Sequence, residues 1–279
     1  MKKSVYKTTE GRDKIRAYYG KVLSHFPFEQ RYVETSYGQT FLLTAGEESN
    51  PPIVLLHGSC SNSAFWFPEL SALSENYRVF AVDIIGEAGN SEEYRPDLST
   101  DDFSLWLKEV LEAIGLEKAA IAGNSLGGWL AIKFAAAFPE KVSQLILIAS
   151  AGLSEIRSQF LQNTEQTRQS GDPIQMDTDV LGEQNIPKEA LDFLNLILEN
   201  FEPIQELPVH PDEVLHRLIM PVLYVGGEND WIIDSQSSAK RLSRLVPSAE
   251  TLLLPNLGHM ITNNQQYIVP FLEKYKLKY

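Results

Sequence analysis

The sequence predicts an α/β fold with a mostly parallel, doubly wound sheet and one helical insertion. Short, wholly apolar stretches such as PPIVLLHG (51–58) are typical of strands that are buried on both faces. Such stretches alternate with helical patterns up to residue 149, an order that produces parallel strands with helices on both faces. The alternation breaks over residues 151–217, which are rich in Gln, Asn and Glu, and then resumes. We therefore expect a regular core that is interrupted once.

The elements before the insertion follow from apolar patterns and turn residues. Residues 9–24 have a helical pattern, and the stretches on either side of Tyr37-Gly38 alternate like the strands of an antiparallel hairpin. Further strands are predicted at 51–58, 77–85, 118–122 and 143–149, with helices at 63–75 and 126–137.

The clearest helix is predicted after Ser99. Ser99 and Asp102 match the S-x-x-D pattern in which a side chain caps a helix N-terminus. Apolar residues then recur at helical spacing, so one stripe should face the core, and Gly115 marks the expected end. The residues of this stripe are Phe103, Trp106, Leu107, Val110, Leu111 and Ile114.

The insertion contains one strongly apolar helical stretch, ALDFLNLILENF (190–201). After it, the core alternation resumes with a strand at 221–226 and a helix at 235–246. The strand ETLLLPN and a terminal helix near 262–276 complete the chain.

The bulk properties of the chain exclude several classes of function. Its 279 residues carry a net charge of −13 at pH 7, and such a surface repels nucleic acids and anionic membranes. The single cysteine, Cys60, permits no disulfide within the chain and fits a reducing compartment. Residues 1–20 lack the apolar stretch of a signal peptide, and no apolar run is long enough to span a bilayer. We expect a cytoplasmic protein, and the sequence leaves its oligomeric state open.

The stretch GNSLG (123–127) lies where a predicted strand meets the following helix. A serine at such a sharp turn adopts a strained backbone conformation, and only small residues fit two positions before and after it. Gly123 and Gly127 occupy those positions, so the pattern predicts that Ser125 is a nucleophile exposed at the sheet edge. The N-terminus of the following helix favours the negative charge that develops there.

A serine hydroxyl needs a base, and that base needs a carboxylate. His259 follows the last predicted strand and Asp230 follows the strand before it, so both should reach the sheet edge that carries Ser125. The order Ser, Asp, His along the chain is that of hydrolases with this serine turn. We therefore predict His259 as the base and Asp230 as the acid.

The other titratable side chains near these motifs have simpler interpretations. Asp83 should brace a loop, while Glu228 and Asp234 should belong to a turn or a helix cap. We expect His57 to brace the loop after its strand and His210 to lie at the surface.

Attack by Ser125 also requires backbone donors for the oxyanion that forms. The best candidates are the N–H of Leu126, at the start of the helix, and the N–H of Ser59, in the loop after strand 51–58. We interpret the neighbouring Cys60 as a packing residue. No cluster has the spacing of metal ligands, and no phosphate loop or dinucleotide motif is present, so neither a metal nor a cofactor is expected.

Five motifs together resemble the α/β-hydrolase fold superfamily, namely VLLHGS, YRVFAVD, IAGNSLGG, PVLYVGGEND and LPNLGHM. The likeness covers roughly residues 29–149 and 218–277, with the motifs in the family's order. It implies an α/β-hydrolase fold with an inserted helical cap over the site. The roles that it implies are nucleophile Ser125, acid Asp230, base His259, and oxyanion donors on Ser59 and Leu126.

The resemblance also implies a division of the chain into a core and a cap. Residues 1–150 would form the first part of the core, residues 151–217 the variable cap, and residues 218–279 the second part of the core.

One loop departs from the family pattern. Many members carry D-x-x-G-x-G-x-S after the strand equivalent to 78–83, often with a His between the glycines. Here the stretch is DIIGEAGNS (83–91), which has one extra residue and places Glu87 after Gly86. Because this loop borders the site in the family, the departure bears on the choice of substrate.

The predicted function is that of a serine carboxylesterase acting on a small to medium, mainly apolar ester. Related dehalogenases and epoxide hydrolases use an Asp nucleophile, so the presence of Ser125 argues against both activities for this chain. Two alternatives stay open: a C–C bond hydrolase of ring-cleavage products, whose GNSMGG motif is similar to GNSLGG, and a small-molecule receptor on a hydrolase scaffold.

The substrate pocket should be largely apolar. For a carboxylate-bearing substrate, Arg157 and Arg168 are candidate anchors in the insertion, although we expect both to be solvated at the surface. The expected pocket residues are Trp66, Trp129, Phe160, Phe193, Trp231 and Met260.

Overall fold

A computed structural model describes residues 4–170 and 186–276. Eight strands form one sheet in the order β1-β2-β4-β3-β5-β6-β7-β8, and all neighbours from β4 to β8 pair in parallel. The hairpin strand β2 pairs antiparallel with both β1 and β4. The predicted mostly parallel sheet is therefore confirmed. The strands are β1 (Glu29–Thr35), β2 (Gly38–Ala45), β3 (Pro52–Leu56), β4 (Arg78–Val82), β5 (Ala119–Asn124), β6 (Val142–Ile148), β7 (Val222–Gly227) and β8 (Ala249–Leu254).

Helices cover both faces of this sheet, because its central strands carry apolar side chains on both sides. Helices α3, α4 and α8 pack on one face, and α1, α2 and α9 pack on the other. In the part of the chain that the structure describes, no helix has the length and apolarity needed to cross a membrane. The helices are α1 (Thr9–Leu23), α2 (Phe67–Leu73), α3 (Asp102–Ala113), α4 (Leu126–Ala137), α5 (Ser158–Ser170), α6 (Lys188–Asn200), α7 (Asp212–Leu215), α8 (Ser235–Leu245) and α9 (Gln265–Lys274).

The start of α3 corrects one prediction. The helix begins at Asp102, and Ser99 makes no cap; its hydroxyl donates to Asp97 Oδ1 at 2.7 Å. The physical reason is a competing local turn, in which Asp97 also accepts the Ser99 backbone N–H at 2.8 Å. The predicted apolar stripe is nevertheless buried from Phe103 to Leu111.

The segment between β6 and β7 holds α5, α6 and α7. Its helix α6 packs against α1, where the rings of Tyr18 and Phe193 stack 4.9 Å apart. Lys7 Nζ donates to the carbonyls of Leu198 and Glu199 at 3.0 and 3.1 Å, which satisfies the free acceptors at the C-terminal end of α6. The division of the chain at residues 150 and 217 stays a prediction, and we refer to residues 151–217 as the inserted segment.

Candidate active site

Ser125 stands at the sharp turn between β5 and α4. Its φ of 50° and ψ of −109° lie in a strained region, as the glycine spacing predicted. A Cβ at Gly123 would collide with the backbone of Gly127, and a Cβ at Gly127 would collide with the Leu56 carbonyl. Only glycine permits these close approaches, which hold the serine at the carboxyl end of the sheet.

His259 connects this serine to a buried carboxylate. The imidazole Nε2 lies 3.0 Å from Ser125 Oγ, and Nδ1 lies 2.9 Å from Asp230 Oδ2. The carboxylate is an acceptor, so Nδ1 carries the proton and Nε2 is left to accept the serine hydroxyl. This tautomer is the one that a general base needs.

Asp230 is held in place by the turn that follows β7. Its Oδ1 accepts the backbone N–H groups of Ile232 and Ile233, both at 2.9 Å. The side chain is buried, so hydrogen bonds rather than water stabilise its charge. Asp230 follows β7 and His259 follows β8, and the parallel pairing of these strands brings the two side chains to one edge.

The competing carboxylates lie elsewhere. Asp83 is fully buried and accepts from the hydroxyls of Ser63 and Tyr19 and from the backbone of Asn90, which braces two loops. Asp234 accepts the Ser237 N–H at 3.0 Å and thereby caps α8.

Two backbone donors lie beside the serine. The N–H of Leu126 is the first of α4 and has no acceptor one turn earlier within the helix. Gly58 and Ser59 line the same cavity as Ser125, and a Cβ on Gly58 would stand 3.5 Å from Ser125 Cβ. The described residues offer no hydrogen-bond acceptor to the Ser59 N–H.

His57 braces the loop that carries Ser59. Its Nδ1 lies 2.8 Å from the Gly58 carbonyl, and Nε2 accepts the N–H of Ile84 at 2.9 Å. Burial lowers the pKa of His57, so the ring is neutral with its proton on Nδ1. Cys60 is buried, and burial raises the pKa of its thiol to about 12, which suits packing and not nucleophilic attack.

A cavity of about 1060 Å³ opens in front of Ser125 and His259. Its size is at the upper end of the range for sites that bind small molecules. Its walls include α1, α2, α5, α6 and the loops that follow β3, β7 and β8. Five of the six predicted pocket residues line it: Trp66, Phe160, Phe193, Trp231 and Met260.

The prediction that Trp129 lines the pocket is wrong. Trp129 lies one turn into α4, which runs away from the cavity, and its ring is buried between Phe103 and His210. Its Nε1 donates to the Pro208 carbonyl at 2.9 Å. His210 is likewise not at the surface: it stacks on Trp129, and burial lowers its pKa to about 4.

The cavity holds no basic anchor among the described residues. Neither lysine nor arginine contributes to its lining there, whereas Glu69, Glu189 and Glu206 do. Arg157 instead donates to the Asp230 carbonyl at 3.0 Å, and the side chain of Arg168 lies outside the described residues. Residues 4–170 and 186–276 also contain no cluster of His, Cys, Asp or Glu suited to a metal ion.

Sequence reasoning missed two contributions to the cavity. Val22, near the end of α1, and Phe26, just after this helix, form part of the wall. Glu69 of α2 is buried and accepts from Asn264 at 2.9 and 3.0 Å, and burial raises its pKa. No local pattern marks these positions, because their role depends on which segments meet at the cavity.

The sequence of the chain is similar to those of known hydrolases. The family model described as the alpha/beta hydrolase fold matches residues 51–191. The chain is 31% identical to the carboxylesterase YbfK of Bacillus subtilis over 271 residues, covering 88% of each protein. It is also 31% identical to the uncharacterized carboxylesterase nap of the same organism over 265 residues, covering 90% of this chain and 88% of the relative.

A solved structure of one of these relatives superposes on nearly the whole chain. The crystal structure of YbfK, also named CesB, superposes with a TM-score of 0.80 at 28% identity and covers 95% of this chain and 99% of that protein.

Proposed function

The chain belongs to the alpha/beta hydrolase fold family and is a hydrolase, and we propose that it is a serine carboxylesterase with Ser125, His259 and Asp230 as its catalytic triad. The observation that carries the proposal is the 3.0 Å contact between Ser125 Oγ and His259 Nε2, with Asp230 on the other ring nitrogen. This arrangement turns a weakly nucleophilic hydroxyl into a reactive one.

In the first half of the reaction, Ser125 Oγ attacks the acyl carbon while His259 Nε2 takes its proton. The N–H groups of Leu126 and Ser59 are the proposed donors to the oxyanion of the tetrahedral intermediate. As the bond between acyl carbon and alcohol oxygen breaks, the imidazolium gives its proton to the leaving alkoxide. The products of this half are the free alcohol and an acyl group esterified to Ser125.

In the second half, water replaces the alcohol. His259 takes one proton from the water as its oxygen attacks the acyl carbon, and the proton then returns to Ser125 Oγ as the acyl–serine bond breaks. The carboxylic acid leaves and the enzyme is restored. Asp230 stays ionised throughout and stabilises the imidazolium of each half.

The shape and charge of the cavity support a neutral, mainly apolar ester of small to medium size. Aromatic walls such as Phe160, Phe193 and Trp231 suit an apolar acyl or alcohol group. Carboxylesterases among the relatives point the same way. A ring-cleavage product carries carboxylates, and no Lys or Arg of residues 4–170 and 186–276 lines the cavity to receive one. We therefore do not advance the C–C hydrolase as a second candidate.

An activity-based fluorophosphonate tests the nucleophile. We expect the probe to label the wild-type chain and the Ser71→Ala control, whose exposed serine lies on α2, but not Ser125→Ala. The same variant should lose ester turnover by a factor on the order of 10³ or more. Full esterase activity in Ser125→Ala would contradict the assignment.

A panel of aryl esters tests the substrate class. Neutral esters graded by acyl length should give a maximum in kcat/KM at small to medium chains. A matched ester with a terminal carboxylate should be turned over far less efficiently. Equal turnover of the charged and neutral esters would argue against the proposed pocket chemistry.

A further inference from the structure

Glu87 occupies the loop in which the sequence departs from the family pattern, and its side chain points inward. The residue is only 2% exposed. Its Oε2 accepts the backbone N–H of Cys60 at 3.0 Å, which joins the loop after β4 to the loop after β3. A second bond, from Asn62 Nδ2 to the Ala88 carbonyl at 3.0 Å, joins the same two loops. We call residues 57–62, which follow β3, the oxyanion loop.

The amide that Glu87 holds lies next to the proposed oxyanion donor. The peptide group between Ser59 and Cys60 includes the Cys60 N–H, so a fixed Cys60 amide restricts the ψ angle of Ser59. Cys60 has a backbone φ of 54°, which lies in the left-handed region that residues other than Gly rarely adopt. Such a conformation persists only where surrounding contacts enforce it. The bond to Glu87 is one such contact.

A buried carboxylate needs compensation, and Arg95 supplies part of it, since Glu87 Oε1 accepts no hydrogen bond from the described residues. The Arg95 Nη2 lies 3.7 Å from Glu87 Oε1 and donates to the carbonyls of Gly86 and Glu202 at 2.8 and 2.7 Å. Its guanidinium also lies 5.2 Å from the ring centre of Phe201. The Glu87 carboxylate is thereby tied to the segment that follows α6.

We propose that Glu87 is a positioning residue that orients the Ser59 N–H toward the oxyanion by holding the Cys60 amide. The proposal rests on the proposed function, since it concerns the same reaction. Glu87 itself touches no reacting atom. A packing role alone would predict that any residue of similar size serves equally well, whereas a positioning role requires an acceptor atom at this point.

Two variants of similar size separate these roles. Glu87→Gln keeps an oxygen that can accept the Cys60 N–H, and Glu87→Leu removes it. We expect kcat on an activated aryl ester to fall about 10- to 100-fold in Glu87→Leu with KM within threefold, because misplacing one oxyanion donor weakens transition-state binding. Glu87→Gln should stay within threefold of wild type on both constants. Glu92→Leu, in the same loop, is the control.

A trifluoromethyl ketone provides a readout that packing alone would not change. Its adduct with the nucleophile carries an oxyanion, so its inhibition constant should weaken in Glu87→Leu by the same factor as kcat/KM. Unchanged kcat and inhibitor affinity in Glu87→Leu would overturn the proposal. Equal losses in Glu87→Gln and Glu87→Leu would do so too.

The single cysteine allows a direct measurement that needs no apolar variant. Labelling with ¹⁵N-cysteine gives one amide signal, that of Cys60. We expect this amide to exchange slowly with solvent in wild type and Glu87→Gln. We also expect its shift to change between pH 5.5 and 8.5 in wild type but not in Glu87→Gln. A freely exchanging amide, or equal pH responses in both proteins, would overturn the proposal even if Glu87→Leu fails to fold.

Failure of this inference is distinguishable from failure of the proposed function. If wild type neither reacts with a fluorophosphonate nor hydrolyses esters, the proposed function is wrong. If wild type does both while the Glu87 variants behave like the control, only the role of Glu87 is wrong.

Discussion

Different kinds of contact hold the sheet edge that carries Ser125 and the inserted segment that lines the cavity. At the edge, backbone approaches backbone: Gly127 lies against the Leu56 carbonyl, and Asp230 is fixed by two amide donors. In the inserted segment, α6 is held along its length by side chains of the N-terminal residues, such as Tyr18, while its C-terminal end is also joined to Lys7 by a backbone bond from the Lys7 N–H to the Asn200 carbonyl.

This difference has a functional consequence. Backbone contacts tolerate almost no change in shape, so the geometry of the reacting groups is tightly specified. Contacts between side chains can be exchanged with modest losses. The cavity wall can therefore vary, and with it the choice of substrate, while the chemistry at the edge stays the same.

The largest expected effect comes from breaking the edge with Gly127→Ala. The added Cβ would overlap the Leu56 carbonyl, and neither backbone can move without displacing Ser125. We expect loss of folded protein or of all ester hydrolysis, measured by soluble yield and fluorophosphonate labelling. Gly20→Ala is the matched control, because a Cβ there meets open space within α1; it should be neutral or stabilise by up to about 1 kcal/mol.

A smaller but still large effect is expected from Asp230→Asn, which keeps the shape of the edge and changes its chemistry. The amide would offer a donor to His259 Nδ1 and favour the tautomer with its proton on Nε2, which cannot accept from Ser125. We expect kcat to fall by about 10³- to 10⁴-fold while folding is retained. Steady-state kinetics with circular dichroism would check this, and a loss below tenfold would contradict the triad.

An intermediate effect is expected in the inserted segment from Phe193→Ala. The Phe193 ring is buried against Tyr18 and lines the cavity. Removal should loosen α6 and cost about 3–5 kcal/mol of packing, most of it local to this helix. KM for apolar esters should rise severalfold with kcat changed less, while the exposed Glu199→Ala on the same helix should behave like wild type. A large loss of kcat at unchanged KM would show that a change in the cavity wall also disturbs the reacting groups at the sheet edge.

The smallest effect is expected on stability from Glu87→Gln, and it depends on pH. Burial raises the pKa of Glu87 from 4.5 to about 7. Below pH 4.5 the carboxyl is protonated in both the folded and the unfolded chain. Between pH 4.5 and 7 the unfolded chain loses this proton first, so the free energy of unfolding falls as pH rises.

The Glu87→Gln variant should therefore be more stable than wild type at pH 8, by about 2–3 kcal/mol, and close to wild type at pH 4.5. Urea unfolding at both pH values would measure the difference. A variant that is less stable than wild type at pH 8 would show that the Arg95 pair outweighs the burial of the charge.

Much of the edge could be predicted because its determinants are local. The glycines at 123 and 127 specify a tight turn wherever they occur after a buried strand, and the strained φ of Ser125 follows from them. The apolar runs that became β3 and β7 predicted buried parallel strands. Parallel strands end at one edge, so the residues that follow β7 and β8 could be expected near Ser125 before any coordinates were known.

The wall could be predicted only in part: five of the six expected residues line it, but Val22, Phe26 and Glu69 join it through long-range packing that no local pattern marks. Trp129 and His210 have nothing in their neighbouring residues that indicates a buried stack between α4 and the inserted segment. Glu87 departs visibly from the family pattern in the sequence, but its bond to Cys60 spans 27 residues and depends on how two loops fold together.

The sequence alone thus determined which elements form and where the reactive serine stands, since hydrophobic period and turn sterics act over a few residues. Only the tertiary structure decided which further segments, such as the end of α1, close the cavity, and that Trp129 does not. That choice depends on which distant surfaces bury one another, and no stretch of the chain encodes it by itself.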